Sequence, residues 1–541
     1  MIEFKDYTFQ YRNQKEPALR NINLTICPGE RILVAGPSGS GKSTLAYCMN
    51  GLVPFLFAGK SSGTVTVMGE NPAKAGALKM SRTVRTVLQD ADSQFVGRTV
   101  AEDIAFILEN EGMRQEEMVF RVKKMAEAVG AESFLERVPA ELSRGQRQRV
   151  AMAGALAEEA EVFLLDSPLS GLDPDARKHI LGLIGEISRR KNSTVIMIEQ
   201  QAEEVLSWKA DRMIIMEGGR IAAEGKPERL LNEGIGRDYG FRRPFCTVPS
   251  RQGSGQAAED GDAGRKEDMP SHSCRKRAGQ AVLSVKNLYF SYEEGVPVLQ
   301  HIHFDIGKGE TVSLIGKNGG GKSVIGEIIC GFRKPARGSV TFRGEDMLSK
   351  TVKERGEKIG LVTQTPAQML SGGTVYKAVA AGLMTRGIPK REAKERIDRV
   401  LEVCGLLPFA GQKISALSFG EKKRVMIASV LVSNPEVIIL DDPTTGLDNR
   451  HCAKIMEYLQ KLKKECGTVI VLITQDMHLA SEYSDRAIVV ADGHLLADGT
   501  AAKVLADEVI VRKACLGQGM LPETAGKCGI GNLPGGRGTA R

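Results

Sequence analysis

The stretch GPSGSGKST, Gly36–Thr44, returns 280 residues later as GKNGGGKSV, Gly316–Val324. Both obey GxxGxGKS, both follow a short apolar run (residues 31–35 and 311–315), and both lead into helical spacing, Leu45, Cys48, Met49, Leu52 in one and Ile325, Ile328, Ile329, Phe332 in the other. Strand, glycine-rich loop and helix is the context in which successive backbone N–H groups and the positive end of a helix cradle phosphates. Lys42 and Lys322 are then placed to reach the β- and γ-phosphates of a nucleotide, and Ser43 and Ser323 to offer a hydroxyl to Mg²⁺.

Working outward, the repeat extends far beyond the loops. LSRGQ at Leu142–Gln146 returns as LSFGE at Leu417–Glu421, FLLDSPLSGLD at Phe163–Asp173 as IILDDPTTGLD at Ile438–Asp448, and Gln89 as Gln364, each 275 residues on. The second copy therefore lacks five residues between its loop and Gln364. Apolar strands at 162–165 and 437–440 end in Asp166 and Asp441, at the sheet edge where parallel α/β proteins place ligands and where a carboxylate can hold a metal through its water shell.

This series resembles two fused ATP-binding cassettes of the ABC superfamily, and the resemblance covers residues 1–231 and 281–510. It implies an α/β fold of two tandem P-loop NTPase domains, each with a RecA-like core, an antiparallel β subdomain and a helical subdomain. ATP and Mg²⁺ are the implied cofactors, held by Gly36, Pro37, Ser38, Gly39, Ser40, Gly41, Lys42, Ser43 and Thr44, and by Gly316, Lys317, Asn318, Gly319, Gly320, Gly321, Lys322, Ser323 and Val324. Ser43, Gln89 and Asp166, with Ser323, Gln364 and Asp441, would hold the metal. Tyr11 and Tyr292 match the aromatic that stacks on adenine. The family pairs cassettes head to tail, so Ser143, Gly145 and Gln146 would meet the nucleotide on Lys322, and Ser418 and Gly420 the one on Lys42.

Departures from the family pattern set the two sites apart. The glutamate that polarises attacking water is replaced by Ser167 and Asp442, and the switch histidine by Gln200 and Gln475. Phe419 and Glu421 further alter the signature facing Lys42. Losing a general base costs ~10²–10⁴ in rate, so the site of Lys42 is expected to bind ATP and hydrolyse it poorly, leaving Asp442 as the remaining base. His478, three residues past Gln475, reads as a helix-surface residue.

The chain has 541 residues, more than one core usually serves, with 42% hydrophobic and 26% charged residues. A fibrous or wholly disordered chain is excluded. Apolar runs stop after about five residues, far short of the ~20 that span a bilayer, and the start lacks a signal-peptide pattern, so a cytoplasmic location is expected. Residues 232–280, rich in Gly, Ser and charge, read as a flexible linker with a span on the order of 35 Å, and residues 511–541 as a disordered tail. Most of the net charge of +8 falls in these two segments, so no folded nucleic-acid groove is indicated.

A tandem cassette without spans must act on partners. LQDADSQFVGRTVAEDIAF, Leu88–Phe106, resembles the ATPases of energy-coupling factor importers, which take up vitamins or metal ions. That implies a peripheral subunit on the cytoplasmic membrane face, working with a transmembrane coupling protein and a substrate-binding component. Val100, Ile104 and Leu108, with Val375, Val379 and Leu383, form a helical stripe packed into each helical subdomain, whereas Phe95, Gln94 and Met369 are expected to be exposed beside it as a docking groove. A tandem ATPase of a sugar or nucleoside importer is the alternative. A ribosome-acting ABC protein fits less well, because Gly253, Gly255, Gly261, Gly264 and Pro270 would break its long helical linker.

Overall fold

The computed structural model describes residues 1–12, 14, 16–89, 94–200, 205–206, 208–232, 241, 281–292, 295–366, 369–370, 372–384 and 387–514. The expected linker and tail therefore lie largely outside the described residues. A helix at Glu508–Lys513, with Val511 and Ala514 buried, crosses the expected boundary at 510.

In the first repeat, β1 (Ile2–Tyr11), β2 (Leu19–Ile26) and β4 (Gly59–Val67) form an antiparallel sheet of order β2-β1-β4. The remaining strands, β3 (Arg31–Ala35), β5 (Val84–Val87), β6 (Val162–Asp166), β7 (Thr194–Ile198), β8 (Arg212–Glu217) and β9 (Arg220–Gly225), form a second sheet of order β5-β6-β7-β3-β8-β9, parallel from β5 to β8. Strands β6 and β7 are buried at every position, the unbroken apolar pattern of a sheet covered on both faces. Register then makes the site: Ile198 stands opposite both Val34 and Asp166. The ends of three strands that are distant in sequence thus emerge side by side.

The longer helices of this repeat are α1 (Lys42–Met49) behind the glycine loop, α2 (Val100–Asn110), α3 (Gln115–Val129) and α4 (Arg144–Leu156), with α5 (Pro174–Lys191) following the last motif. Val100, Ile104 and Leu108 are fully buried, one face of α2 sealed against its neighbours by i, i+4 spacing. Helix α4 begins with a capping box in which Ser143 caps and Gln146 answers at the third position.

The second repeat has an antiparallel sheet of β10 (Ala281–Ser291), β11 (Pro297–Gly307), β13 (Arg337–Phe342) and β14 (Glu345–Asp346), and a sheet of order β15-β16-β17-β12-β18-β19. Its strands are β12 (Thr311–Ile315), β15 (Ile359–Val362), β16 (Val437–Asp441), β17 (Val469–Thr474), β18 (Arg486–Ala491) and β19 (His494–Thr500). Its longer helices are α6 (Lys322–Cys330), α7 (Val375–Met384), α8 (Lys390–Val403), α9 (Phe419–Leu431) and α10 (Asn449–Cys466). Phe332 departs from the expected helical stripe. It lies beyond the left-handed Gly331 that ends α6 and is 60% exposed.

Compact units do not follow the repeats. One unit contains residues 1–244, 362–434 and 442–461, so α7, α8, α9, the loop before α10 and most of α10 belong with the first repeat; the other contains residues 245–361, 435–441 and 462–541. Among the described residues, no helix is long and apolar enough to cross a membrane.

Candidate functional site

Both glycine loops are shaped by backbone constraints that side chains would break. A Cβ on Gly36 would sit 2.2 Å from Met216 O, and one on Gly316 2.0 Å from Val490 O. Gly41 and Gly321 adopt left-handed backbone at the starts of α1 and α6, a conformation glycine enters without steric cost. Gly39 and Gly319 have nothing within 4 Å of a would-be Cβ, leaving the loop mouth open to a ligand.

Within each loop the lysine folds among carbonyls. Lys42 Nζ donates to Gly36 O and Pro37 O at 2.8 Å and to Ser40 Oγ at 3.2 Å, and Lys322 Nζ to Gly316 O at 2.8 Å and Lys317 O at 2.6 Å. Burial pushes the Lys42 ammonium down to about 8, against the opposing charges of Asp166, Asp448 and Glu199. Ser43 Oγ donates to Asp166 Oδ2 at 2.7 Å. Burial raises the Asp166 carboxyl, while Ser43 and Lys42 pull it back. A hydroxyl and a carboxylate this close, beside an open cradle of N–H groups and a lysine, fit a magnesium nucleotide.

Ser167 and Asp442 share an unusual backbone. Their φ angles are 52° and 49°, a left-handed conformation that costs a non-glycine residue energy and persists where surrounding structure enforces it. Ser167 is buried and its Oγ donates to Asp166 Oδ1 at 3.4 Å. Asp442 Oδ2 instead accepts Gln364 Nε2 at 3.4 Å and Thr445 Oγ1 at 2.5 Å. Asp441 is buried at the end of β16, and Gln89 is half-buried just beyond β5. Gln200 Oε1 is buried without a hydrogen-bond partner among the described residues, whereas Gln475 Nε2 donates to Asn318 Oδ1. His478 lies half-buried in the short helix Met477–Tyr483.

The two tyrosines differ. Tyr11 OH pairs with Thr44 Oγ1 at 2.9 Å, and burial raises its phenol. Tyr292 is 60% exposed with the Arg333 guanidinium 4.7 Å over its ring.

Parts of the second repeat meet the first P-loop. Ser38 N–H donates to Asp448 Oδ2 at 2.9 Å, and a Cβ on Gly420 would lie 3.7 Å from Ser38 Oγ. Although burial acts to raise the Asp448 carboxyl, His451 and Ser38 N–H outweigh it and hold the group well below the usual carboxylate range. Arg450 Nη1 adds an ion pair with Glu217 Oε1 at 3.0 Å.

The signature residues begin helices. Ser418 N and Oγ both donate to Glu421 Oε2 at 2.8 Å, as Ser143 N donates to Gln146 Oε1 at 2.9 Å. Glu421 therefore takes the capping role of the glutamine rather than standing as a loose charge near the nucleotide. Phe419 packs on Gly446, where a Cβ would be 2.5 Å from its ring.

Two expectations need correction. Gln94 is not exposed: its Oε1 accepts Leu88 N–H at 2.8 Å and its Nε2 donates to Thr86 O at 3.1 Å, closing the turn after β5. Phe95 and Met369 are likewise half-buried, Met369 Sδ accepting Thr363 N–H at 3.5 Å; the exposed large apolar side chains among the described residues of the Leu88–Phe106 stretch are Val96 and Phe106. Glu199 escaped the sequence reading altogether. Glu199 brings a carboxylate whose charge acts on Lys42 and which accepts Leu169 N–H at 3.3 Å. Its place beside Gln200, one residue past β7, was the available signal.

The sequence pattern of the ABC transporter family matches residues 19–170 and 299–445. A relative from Clostridium perfringens (strain 13 / Type A), named only in general terms as an ABC transporter ATP-binding protein, is 45% identical over 97% of this chain and 95% of its own length. One from Enterococcus faecalis, named in the same terms, is 41% identical over 98% and 96%. Among solved structures, cbiO1 from Clostridium perfringens, part of the ABC transporter complex cbiONQ, is 33% identical, covers 46% of this chain and 98% of its own, and superposes with a TM-score of 0.40. With its motif series matched twice and its relatives aligned end to end, the chain belongs to the ABC transporter ATP-binding proteins, as two tandem P-loop ATPase domains.

Proposed function

We propose that the chain is the ATP-binding and hydrolysing energy-coupling subunit of an ABC importer of the energy-coupling factor type, serving vitamin or metal-ion uptake. It sits peripherally on the cytoplasmic face of a transmembrane coupling protein and a substrate-binding component. The family binds and hydrolyses ATP with Mg²⁺, and the observation that carries the coupling role is the hydrogen bond from Ser38 N–H to Asp448. It supports a pair of cassettes formed within one chain, with ATP on Lys42 between the first P-loop and Ser418 and Gly420. The importer type rests on the Leu88–Phe106 stretch, of which residues 90–93 lie outside the described residues.

Bound Mg²⁺ would supply charge neutralisation at the phosphates, held by Ser43, Gln89 and Asp166 in one site and Ser323, Gln364 and Asp441 in the other. The protein's own contribution is asymmetric. Asp442, held by Gln364 and Thr445, is the base that orients water and takes its proton for the nucleotide on Lys322. Ser167 offers no base, so the nucleotide on Lys42 serves chiefly as adhesive between surfaces.

Purifying the chain from membranes in mild detergent and identifying the integral proteins bound to it tests the assignment. A transmembrane coupling protein with a small membrane-embedded substrate binder supports it. Recovery with a sugar- or nucleoside-import permease would favour the alternative importer, and recovery with ribosomes would overturn both.

A further inference from the structure

Helix α9 carries at Lys423 a side chain with no exposed surface. Its Nζ donates to Thr363 O at 3.1 Å and to Gln364 O at 2.9 Å. An ammonium is tolerated at such depth only where fixed dipoles replace its water, and the carbonyls before and at Gln364 are those dipoles. The side chain of Gln364 continues the chain of contacts to Asp442.

Comparison with the first repeat shows that packing alone does not demand this lysine. The neighbouring arginines act alike: Arg149 Nη1 donates to Gly130 O at 2.9 Å, and Arg424 Nη1 to Cys404 O at 2.8 Å and Gly405 O at 2.9 Å, each closing the end of the preceding helix. The position equivalent to Lys423 is Gln148, equally buried, whose Nε2 has no partner among the described residues. The helix is tied down by its arginine in both repeats; the additional tie to the Q-loop backbone belongs to Lys423.

The N-terminus of α9, one turn before Lys423, faces the first P-loop. Gly420, three residues before Lys423, approaches Ser38, and Asp448, six residues past Asp442, accepts the Ser38 N–H. Three residues of helix span about 4.5 Å, so a displacement of the α9 N-terminus by a nucleotide on Lys42 is delivered to Thr363 and Gln364 with little loss.

We propose that Lys423 is a positioning residue that couples occupancy of the first P-loop to the setting of Gln364 and Asp442, making the poorly hydrolysing site a regulator of the active one. This rests on the reading of Asp442 as the base. The test is a double-mutant cycle on the full-length chain, reading steady-state ATP turnover and binding of a fluorescent ATP analogue. Lys42→Ala empties the first loop and should lower turnover roughly 10-fold, within the range of ordinary allosteric coupling. Lys423→Gln, which copies the first repeat, should lower kcat with little change in KM, and in its background Lys42→Ala should cost less than about 2-fold. Losses that simply multiply would overturn the coupling, as would a Lys423→Gln chain with unchanged turnover. Should Lys423→Gln fail to fold, Lys423→Met, which keeps length and removes the buried charge, carries the same cycle. Wild-type turnover in Asp442→Asn would instead show that the base is misassigned, an outcome separate from the cycle.

Discussion

Ser167 and Asp442 stand at equivalent places with nearly the same φ, yet they face different company. Serine turns back to Asp166, while Asp442 gathers an amide and a hydroxyl from its own repeat. The two repeats keep the same strained backbone at this post, one mounting a serine and the other the carboxylate proposed as the base. Backbone geometry is enforced by the strand end and the following turn, so it survives substitutions that remove the chemistry.

The largest test of that difference is catalytic. Asp442→Asn keeps the shape and removes the proposed base, so turnover should fall ~10²-fold or more, whereas Ser167→Ala should change it by less than about 2-fold, since the Ser167 hydroxyl is not a base in the proposed mechanism. Steady-state ATPase assays on both variants, with circular dichroism to verify folding, check the pair. Equal losses would erase the asymmetry, and a large loss in Glu199→Gln would move the base of the first site to that carboxylate.

A second test sharpens the first site alone. Lys42 titrates at about 8 when folded against an ordinary 10.5, so the unfolded chain holds the extra proton between those values. Stability should therefore rise as pH climbs through that window, a rise that Lys42→Met should lack. Nucleotide phosphates favour the charged form, so ATP binding at this loop should take up a proton above pH 8 and weaken by up to about tenfold per pH unit. Titration calorimetry in buffers of different ionisation enthalpy measures that uptake; binding independent of pH from 7.5 to 9.5 would contradict it.

The smallest effect is expected where the repeats differ in charge but share a task. Ser143→Ala and Ser418→Ala each remove a helix cap and should cost about 1 kcal/mol, visible in denaturant unfolding, while Glu421→Gln should change stability by less than that. A much larger loss in Glu421→Gln than in Ser418→Ala would show that the carboxylate does more than begin α9.

What was legible in the sequence is what depends on local spacing. The glycine loops, the strands ending in Asp166 and Asp441 and the buried stripe of Val100, Ile104 and Leu108 all repeat at fixed offsets, and local backbone and helical period place them. Gln94 could not be read the same way, because a polar residue in a loop reads as exposed unless one knows that Leu88 N–H and Thr86 O need it. Lys423 was hidden for the converse reason: a lysine in a charged helix start reads as solvated, and only the folded Q-loop supplies the carbonyls that bury it. Glu199 lay beside a residue already singled out, and it takes the packed sheet to show that its charge reaches Lys42.

The interleaved unit has a consequence for synthesis. Its chain leaves at residue 244 and returns at residue 362, and the last segment closes only at residue 461. At roughly 5–20 residues per second, about 10–40 s separate emergence of the first repeat from arrival of its last contributing segment. During that interval the surface destined for α9 and Asp448 is on the ribosome without its covering. Contacts of such long sequence separation form slowly, so the nascent first cassette has a window in which other chains, including a neighbour's second repeat on the same message, compete for that surface.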